Sequence, residues 1–270
     1  MASDVAMASD SARGADTART SDTAMATAGG RAESHSLSER AASERAASER
    51  AVSERAVSER AVAEGRTRRG TARMFESDFI ERFSRVHPLV PAVLYLPVVG
   101  ASIYAAVVLY SVPLPRLGLQ LFAGYLLWTL CEYWLHRLVF HLPIVGPKTK
   151  RLNFLIHGVH HDYPWDESRL VFPAAASLGL CVVTYAGFRA VLGTDDMYGP
   201  FAGFVFGYVI YDEVHWYVHA RKPTSQLGRW LRREHFLHHF KDPTTRFGVS
   251  CPWLDYVFGT RPKKNEQGAG

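Results

Sequence analysis

Thiolate chemistry has little to draw on in this chain. It holds 3 cysteines in 270 residues, Cys131, Cys181 and Cys251. No CxxC pair occurs and the number is odd, which excludes a disulfide framework and a thiolate metal site. Residues 1–73 almost lack large apolar side chains and so cannot build a core. The N-terminus lacks the apolar run of a signal peptide and carries Asp4 and Asp10 instead. Nucleic-acid motifs are absent too. The net charge of +5 comes from Lys and Arg placed beside apolar segments, which suits anionic lipid headgroups better than a nucleic-acid partner.

From Ser38 the chain repeats SERAA and SERAV, a five-residue period that matches neither helix nor strand. Residues 1–73 are therefore expected to be a disordered low-complexity tail with transient helix, and every feature that carries chemistry follows Met74, the expected natural start. Residues 74–87 read as an interfacial segment, with Phe75, Phe79, Ile80 and Phe83 among charges. Four apolar stretches follow, at about 88–110, 117–135, 170–192 and 197–214. Each approaches the roughly 20 residues that cross a bilayer. Pro113 and Pro115 mark one turn and Gly193 to Gly199 another. The expected fold is all-α and membrane-integral: four transmembrane helices in two hairpins, within a membrane domain at 88–265. Positive charge gathers at Arg66 to Arg73, at Lys148 to Arg151 and at Arg221 to Arg233, whereas the opposite turns offer only Arg116 and Arg189. The positive-inside rule then puts both termini and the central loop in the cytoplasm.

What the chain has in unusual supply is histidine. Of 12 histidines, all but His35 and His87 fall into four clusters where apolar stretches end or just beyond them. These are His136 and His141, then His157, His160 and His161, then His215 and His219, and finally His235, His238 and His239. Neutral imidazole is the commonest nitrogen ligand for zinc, iron and copper. The HxxHH triplets place histidines at i, i+3 and i+4, on one helical face, and His215 and His219 are at i and i+4. His136 and His141 are five apart, roughly 140° around an ideal helix, so that pair needs a helix end or a distortion to converge. Ten imidazoles suggest two metal ions with about five ligands each and an open position on each. Iron is the expected working metal because zinc cannot change redox state, although the ligand types also suit zinc. Carboxylates behind the rings can orient them. Asp212 and Glu132 are the leading candidates, ahead of Glu213 and Glu234. Asp162, Asp166 and Glu167 read as loop charges.

HGVHHDYPWDESRLVFP, GYVIYDEVHWYVH and HHFKDPTTRFGVSCPWLDYVFGT, with HRLVFH before them, resemble the fatty acid hydroxylase superfamily, and within it the fatty acid 2-hydroxylases. The resemblance covers about residues 120–262. It implies a four-helix membrane enzyme with a cytoplasmic cap holding a dimetal centre, hydroxylating carbon 2 of a long fatty acyl lipid with O2 and external electrons. Carried over by motif, His136, His141, His157, His161 and His238 would hold one metal. His160, His215, His219, His235 and His239 would hold the other. Eukaryotic members often carry an N-terminal cytochrome b-type haem domain. Here His87-Pro88 is followed by Leu-Val rather than by that motif's glycines, so a separate electron donor is expected, a ferredoxin or a free cytochrome b-type protein. Tyr211, Trp216, Tyr217 and Arg169 are candidates to hold the polar end of the substrate, and residues 168–173 to form the mouth of an acyl tunnel. The same metal chemistry also serves a desaturase, a sterol oxidase or a carotenoid hydroxylase. The alternative of another class is a metal transporter or sensor, whose ligands should line a path at mid-membrane.

Overall fold

The computed structural model describes residues 67–262 continuously, together with scattered helical positions between 37 and 63. The chain divides into two units, Met1–Ala56 and Val57–Gly270. Within the first, residues 39–46 are helical, and the rest of the expected tail up to residue 66 lies largely outside the described residues. The site belongs to the second unit.

Among the described residues that unit has helices and no strands. A short α1 (Asp78–Phe83) precedes α2 (Val90–Tyr104), which continues as a π-helical turn, Ala105–Leu109. Pro113 then ends the connection, and α3 (Leu114–Leu135) runs into a second π-helical turn, His136–Phe140. A cap segment follows: α4 (Pro147–Asn153), a π-helical stretch Phe154–Gly158, and α5 (Val159–Asp162). Next come α6 (Ala174–Asp196), α7 (Tyr198–Ala220), α8 (Gln226–Phe240) and α9 (Trp253–Val257). By length and composition α2 with its π turn, Val90–Leu109, and the stretch Glu167–Asp196 are apolar enough to cross a membrane. α3 and α7 are as long, but Arg116 and Glu132 in one and Asp212 and Glu213 in the other dilute their apolar character.

The helix ends differ in two places from the stretches read in the sequence. The third begins at Ala174, because Pro173 sits at its N-cap with extended ψ and residues Glu167–Arg169 form a 3₁₀ turn ahead of it. At its far end Gly193 takes a left-handed φ of 73°, which breaks α6 at the first of the expected turn glycines. The fourth runs on to Ala220 rather than stopping near Val214, so His215 and His219 ride on the last turns of α7. Nothing interrupts the helix until Lys222-Pro223, where a residue before proline leaves the helical region.

α7 is the hub of the unit. It packs along α3 and α2, and its inner face buries Phe201, Ala202, Val205 and Val209 with Tyr95 and Val99 of α2. The approach to α3 is close because glycine recurs at Gly199, Gly203 and Gly207. A Cβ on Gly203 would lie 2.0 Å from the carbonyl oxygen of Leu121, and one on Gly124 of α3 would lie 1.9 Å from that of Pro200. Small residues four apart let two helix backbones touch. Backbone atoms cannot step aside, so Gly203→Leu is expected to push α3 from α7 and to destabilise the fold by about 1–3 kcal/mol or more. Thermal unfolding in detergent checks this; an unchanged midpoint would contradict the packing described.

Residues 67–75 and α1 lie against the cap. Arg68 donates its backbone N–H to the carbonyl of Asp162 (2.6 Å). Glu81, though flanked by the exposed side chains of Phe79, Ile80 and Phe83, is itself buried. Its carboxylate accepts hydrogen bonds from Met74 N (2.9 Å) and Phe75 N (3.1 Å) and pairs with Arg169 at 2.6 Å. Burial pushes the Glu81 carboxyl up, but those two N–H groups and the guanidinium outweigh it and hold the group at about 2. A depressed folded pKa contributes stability that is full above the unfolded value of about 4.3 and is lost as the pH falls from there through about 2. Limited proteolysis around residues 74–84 should therefore accelerate over that acid window, and in Glu81→Gln the acceleration should be present already at neutral pH.

Candidate metal centre

The ten clustered histidines come from five parts of the chain. His136 opens the π turn after α3 and His141 directly follows it, His157 lies in the π stretch after α4, and His160 and His161 are on α5. His215 and His219 are on α7, and the last three are on α8. The five-residue gap between His136 and His141 is resolved by that π turn. His141 N donates to His136 O at 3.2 Å, an i to i+5 bond that puts residues five apart on one face. His35 lies outside the described residues. His87 bonds only its own neighbourhood, accepting from Leu89 N.

The rings form two groups, in each of which the candidate ligand atoms lie within 4.8 Å of one another. One contains His136, His141, His157, His161 and His238; the other contains His160, His215, His219, His235 and His239. These are the two sets of five that the family resemblance implies. Each HxxHH triplet is shared: its i and i+4 residues go to one group and its i+3 residue to the other, because the i+3 ring leaves the helix at a different angle. His160 and His161, adjacent in the chain, thus serve opposite groups.

The donor set fits metal ions. His136 donates from Nδ1 to the carbonyl of Phe247 (2.5 Å), and His238 from Nδ1 to that of Thr245 (2.7 Å). Each Nε2 therefore carries a lone pair, and both aim at Nε2 of His141, 3.2 and 3.0 Å away. One N–H on His141 can satisfy only one of them, and Nε2 of His157 also lies 3.2 Å from that of His136, so ring nitrogens converge at one point as ligands around a cation do. In the second group His215 donates from Nδ1 to Leu170 O (2.7 Å) and points Nε2 at Nε2 of His160, 2.8 Å away. His219 and His235 approach as closely, at 2.8 Å. Burial keeps these rings neutral, the ligating form. It pushes His157, His160, His161, His235, His238 and His239 well below the usual imidazole range, with neighbouring imidazoles adding to the effect, and His141 down to about 4.

Among the described hydrogen bonds, main-chain carbonyls hold three of the rings from behind, those of His136, His215 and His238. They accept the Nδ1 proton without bringing a charge. Glu132, 3% exposed, instead takes the backbone N–H of Ser250 at 2.7 Å and the Ser250 hydroxyl. Glu234 binds Arg246 (3.1 Å) and Arg261 (3.2 Å). Asp212, one turn before His215, is buried and lines the adjoining cavity. The carbonyls of Leu170, Thr245 and Phe247 were not picked out in the sequence. Backbone acceptors carry no residue signature, although the TTRFG segment that contains two of them was part of the recognised motif.

A cavity of about 350 Å³ opens from His157, His160 and His215 and runs between α2, α3, α6 and α7 to Trp128, Phe204 and Thr184. Leu180, Val205 and Phe172 line its walls, and Tyr211 and Asp212 its histidine end. From His215 back to Phe204 is 11 residues of α7, a depth of about 16 Å at the helical rise per residue. Arg169 reaches the cavity and residues 169–173 line it. Trp216 and Tyr217 do not line it: Trp216 donates to Glu167 (3.3 Å) and stacks under Arg221, and Tyr217 is exposed.

Fold and site together define a class: an all-helical protein whose grouped imidazoles can take metal ions at one end of a long apolar cavity. The fatty acid hydroxylase family model matches residues 121–260. The chain is 36% identical over 190 residues to the dihydroceramide fatty acyl 2-hydroxylase FAH1 of Arabidopsis thaliana, covering 70% of this chain and 80% of the relative. It is 37% identical over 201 residues to the ceramide very long chain fatty acid hydroxylase SCS7 of Saccharomyces cerevisiae, covering 71% and 50%. Against the fatty acid 2-hydroxylase of Homo sapiens it is 34% identical, covering 70% and 56%. The solved structure of full-length scs7p, in which only the hydroxylase domain is visible, superposes with a TM-score of 0.65 at 35% identity, over 69% of this chain and 70% of that one. The chain belongs to the fatty acid hydroxylase family and is an oxidoreductase.

Proposed function

We propose that this protein hydroxylates carbon 2 of a long-chain fatty acyl lipid within the membrane, using O2 and electrons from a separate carrier, a ferredoxin or a cytochrome b-type protein. The observation that carries the reading is the junction of the cavity with both histidine groups at His157, His160 and His215. His136, His141, His157, His161 and His238 would hold one ion, and His160, His215, His219, His235 and His239 the other. Bound iron supplies the redox chemistry for O2 activation, which zinc in the same ligands cannot.

The chain's own residues do the rest. Leu180, Val205 and Phe204 exclude water and hold the methylenes straight, so that a carbon near the polar end of the lipid lies at the histidine end of the cavity. Arg169, the one cation among the lining Lys and Arg side chains, is already paired with Glu81 at 2.6 Å and with Asp166 at 3.4 Å. No unpaired side-chain cation of that kind waits there for a carboxylate. The substrate is read as the amide-linked acyl chain of a ceramide because the similar proteins of Arabidopsis thaliana and Saccharomyces cerevisiae are a dihydroceramide and a ceramide hydroxylase.

α2, α3, α6 and α7 are read as four spans with both termini and the histidine groups on the cytoplasmic side. The support is the grouping of the histidines at one end of α3 and α7, next to the Lys148–Arg151 and Arg221–Arg233 charges. Cysteine labelling at Lys150 and at Asp195 should place these positions on opposite sides of the membrane.

The test is turnover of a labelled long-chain ceramide and of the matching free acid with a reductase system, read by mass spectrometry. A 2-hydroxy product, formed faster from the amide, is expected. An unsaturated or ring-hydroxylated product would overturn the reading in favour of a desaturase, sterol oxidase or carotenoid hydroxylase.

A further inference from the structure

We propose that Asp255 is a positioning residue for one of the two metal sites, acting through the loop 244–250. The inference rests on the reading of the histidine groups as metal sites. His136 and His238, ligands of the same group, both lean on this loop, one on the Phe247 carbonyl and the other on that of Thr245. The direction of those two carbonyls sets the orientation of both imidazoles, and the loop itself is regulated by its anchors.

Asp255 is the central anchor. It lies on α9, outside the ligand helices, and is 1% exposed. One carboxylate oxygen accepts from Phe247 N (2.8 Å) and from the Thr260 hydroxyl (2.6 Å), and the other from Gly248 N (3.0 Å). Those two N–H groups flank the carbonyl that holds His136. The residue between the two ring-holding carbonyls, Arg246, has a left-handed φ of 62°, a conformation unfavourable for a non-glycine residue. It is held there by Glu234 at 3.1 Å and by the Thr260 carbonyl, which accepts Arg246 N at 3.2 Å. Gly248 has no room for a side chain, since a Cβ would lie 2.3 Å from the Cys251 carbonyl oxygen. Glu132 fixes the far end through Ser250. The loop is thus tied at successive residues, and both carbonyls of interest lie between the ties. No described hydrogen bond joins a ring of the second group to the loop; His215 rests on Leu170, and the loop meets the helix that carries His235 through Glu234 rather than through a ring.

The consequence is selective. Releasing the Asp255 clamp should loosen the ion held by His136, His141, His157, His161 and His238 and leave the other in place. The experiment follows metal release from the purified, iron-loaded full chain into a chelator. In Asp255→Asn one of two ions should leave about 10–100-fold faster, the usual cost of disturbing the support behind a ligand, while the other keeps its rate. In a His136→Ala background the same substitution should add less than it does alone, because only the His238 arm of the loop is left to act. Should Asp255→Asn fold poorly, Thr260→Val, which removes one donor and keeps the carboxylate, should give a smaller acceleration of the same phase. Unchanged release, or equal acceleration of both ions, would overturn the role of Asp255 while leaving the two metal sites standing. A wild-type chain that takes up no iron would overturn the metal sites themselves.

Discussion

His160→Ala is expected to abolish turnover and to lower the metal content from two ions towards one. His160 sits in the second group with its Nε2 2.8 Å from that of His215, and its ring also faces the cavity. Removing a group that merely supports a ligand costs 10–100-fold, so loss of the ligand should lower turnover by more than about a hundredfold. The cavity left by an imidazole at a buried position also costs stability, so the decisive reading is metal content in material that still unfolds cooperatively. Retained metal with retained activity would remove His160 from the centre. The same substitution at His87, which the structure leaves outside both groups, should change neither quantity.

The second large effect concerns chain length. Thr184 of α6 lies at the deep end of the cavity with Trp128 and Phe204. Thr184→Trp should fill that end while leaving the histidine end, about 16 Å away along the helices, untouched. Activity on the longest acyl chains should then fall by about tenfold or more relative to shorter ones, the scale of a misfit in an apolar pocket. The ratio of kcat/KM between two chain lengths measures it. An equal loss for all lengths would place the acyl chain elsewhere.

How far the sequence carried these conclusions differs from element to element. The pairing of His215 with His219, and of the outer members of each HxxHH, follows from helical spacing. The convergence of His136 with His141 does not, because it depends on a π turn, and no residue type announces one. The long helices were visible as apolar stretches, yet the glycines at 199, 203 and 207 that let α7 press on α3 went unremarked, although a small residue at every fourth position is a legible sign of close helix approach. Glu81 read as one more charge in an interfacial segment. Its burial against Arg169 depends on contacts 88 residues away in sequence, which local pattern cannot supply. The carbonyls of Leu170, Thr245 and Phe247 hold His215, His238 and His136, a task for which the sequence offered only the side chains of Glu132 and Asp212 as candidates. Side chains are all a sequence displays, and for these three rings the backbone does the orienting.

Metal analysis of protein purified without oxygen and loaded with ferrous iron bears on the account most directly. Two ions per chain, with loss of one in His136→Ala and of one in His215→Ala, is the expected result. A single ion per chain, or two that survive both substitutions, would contradict it.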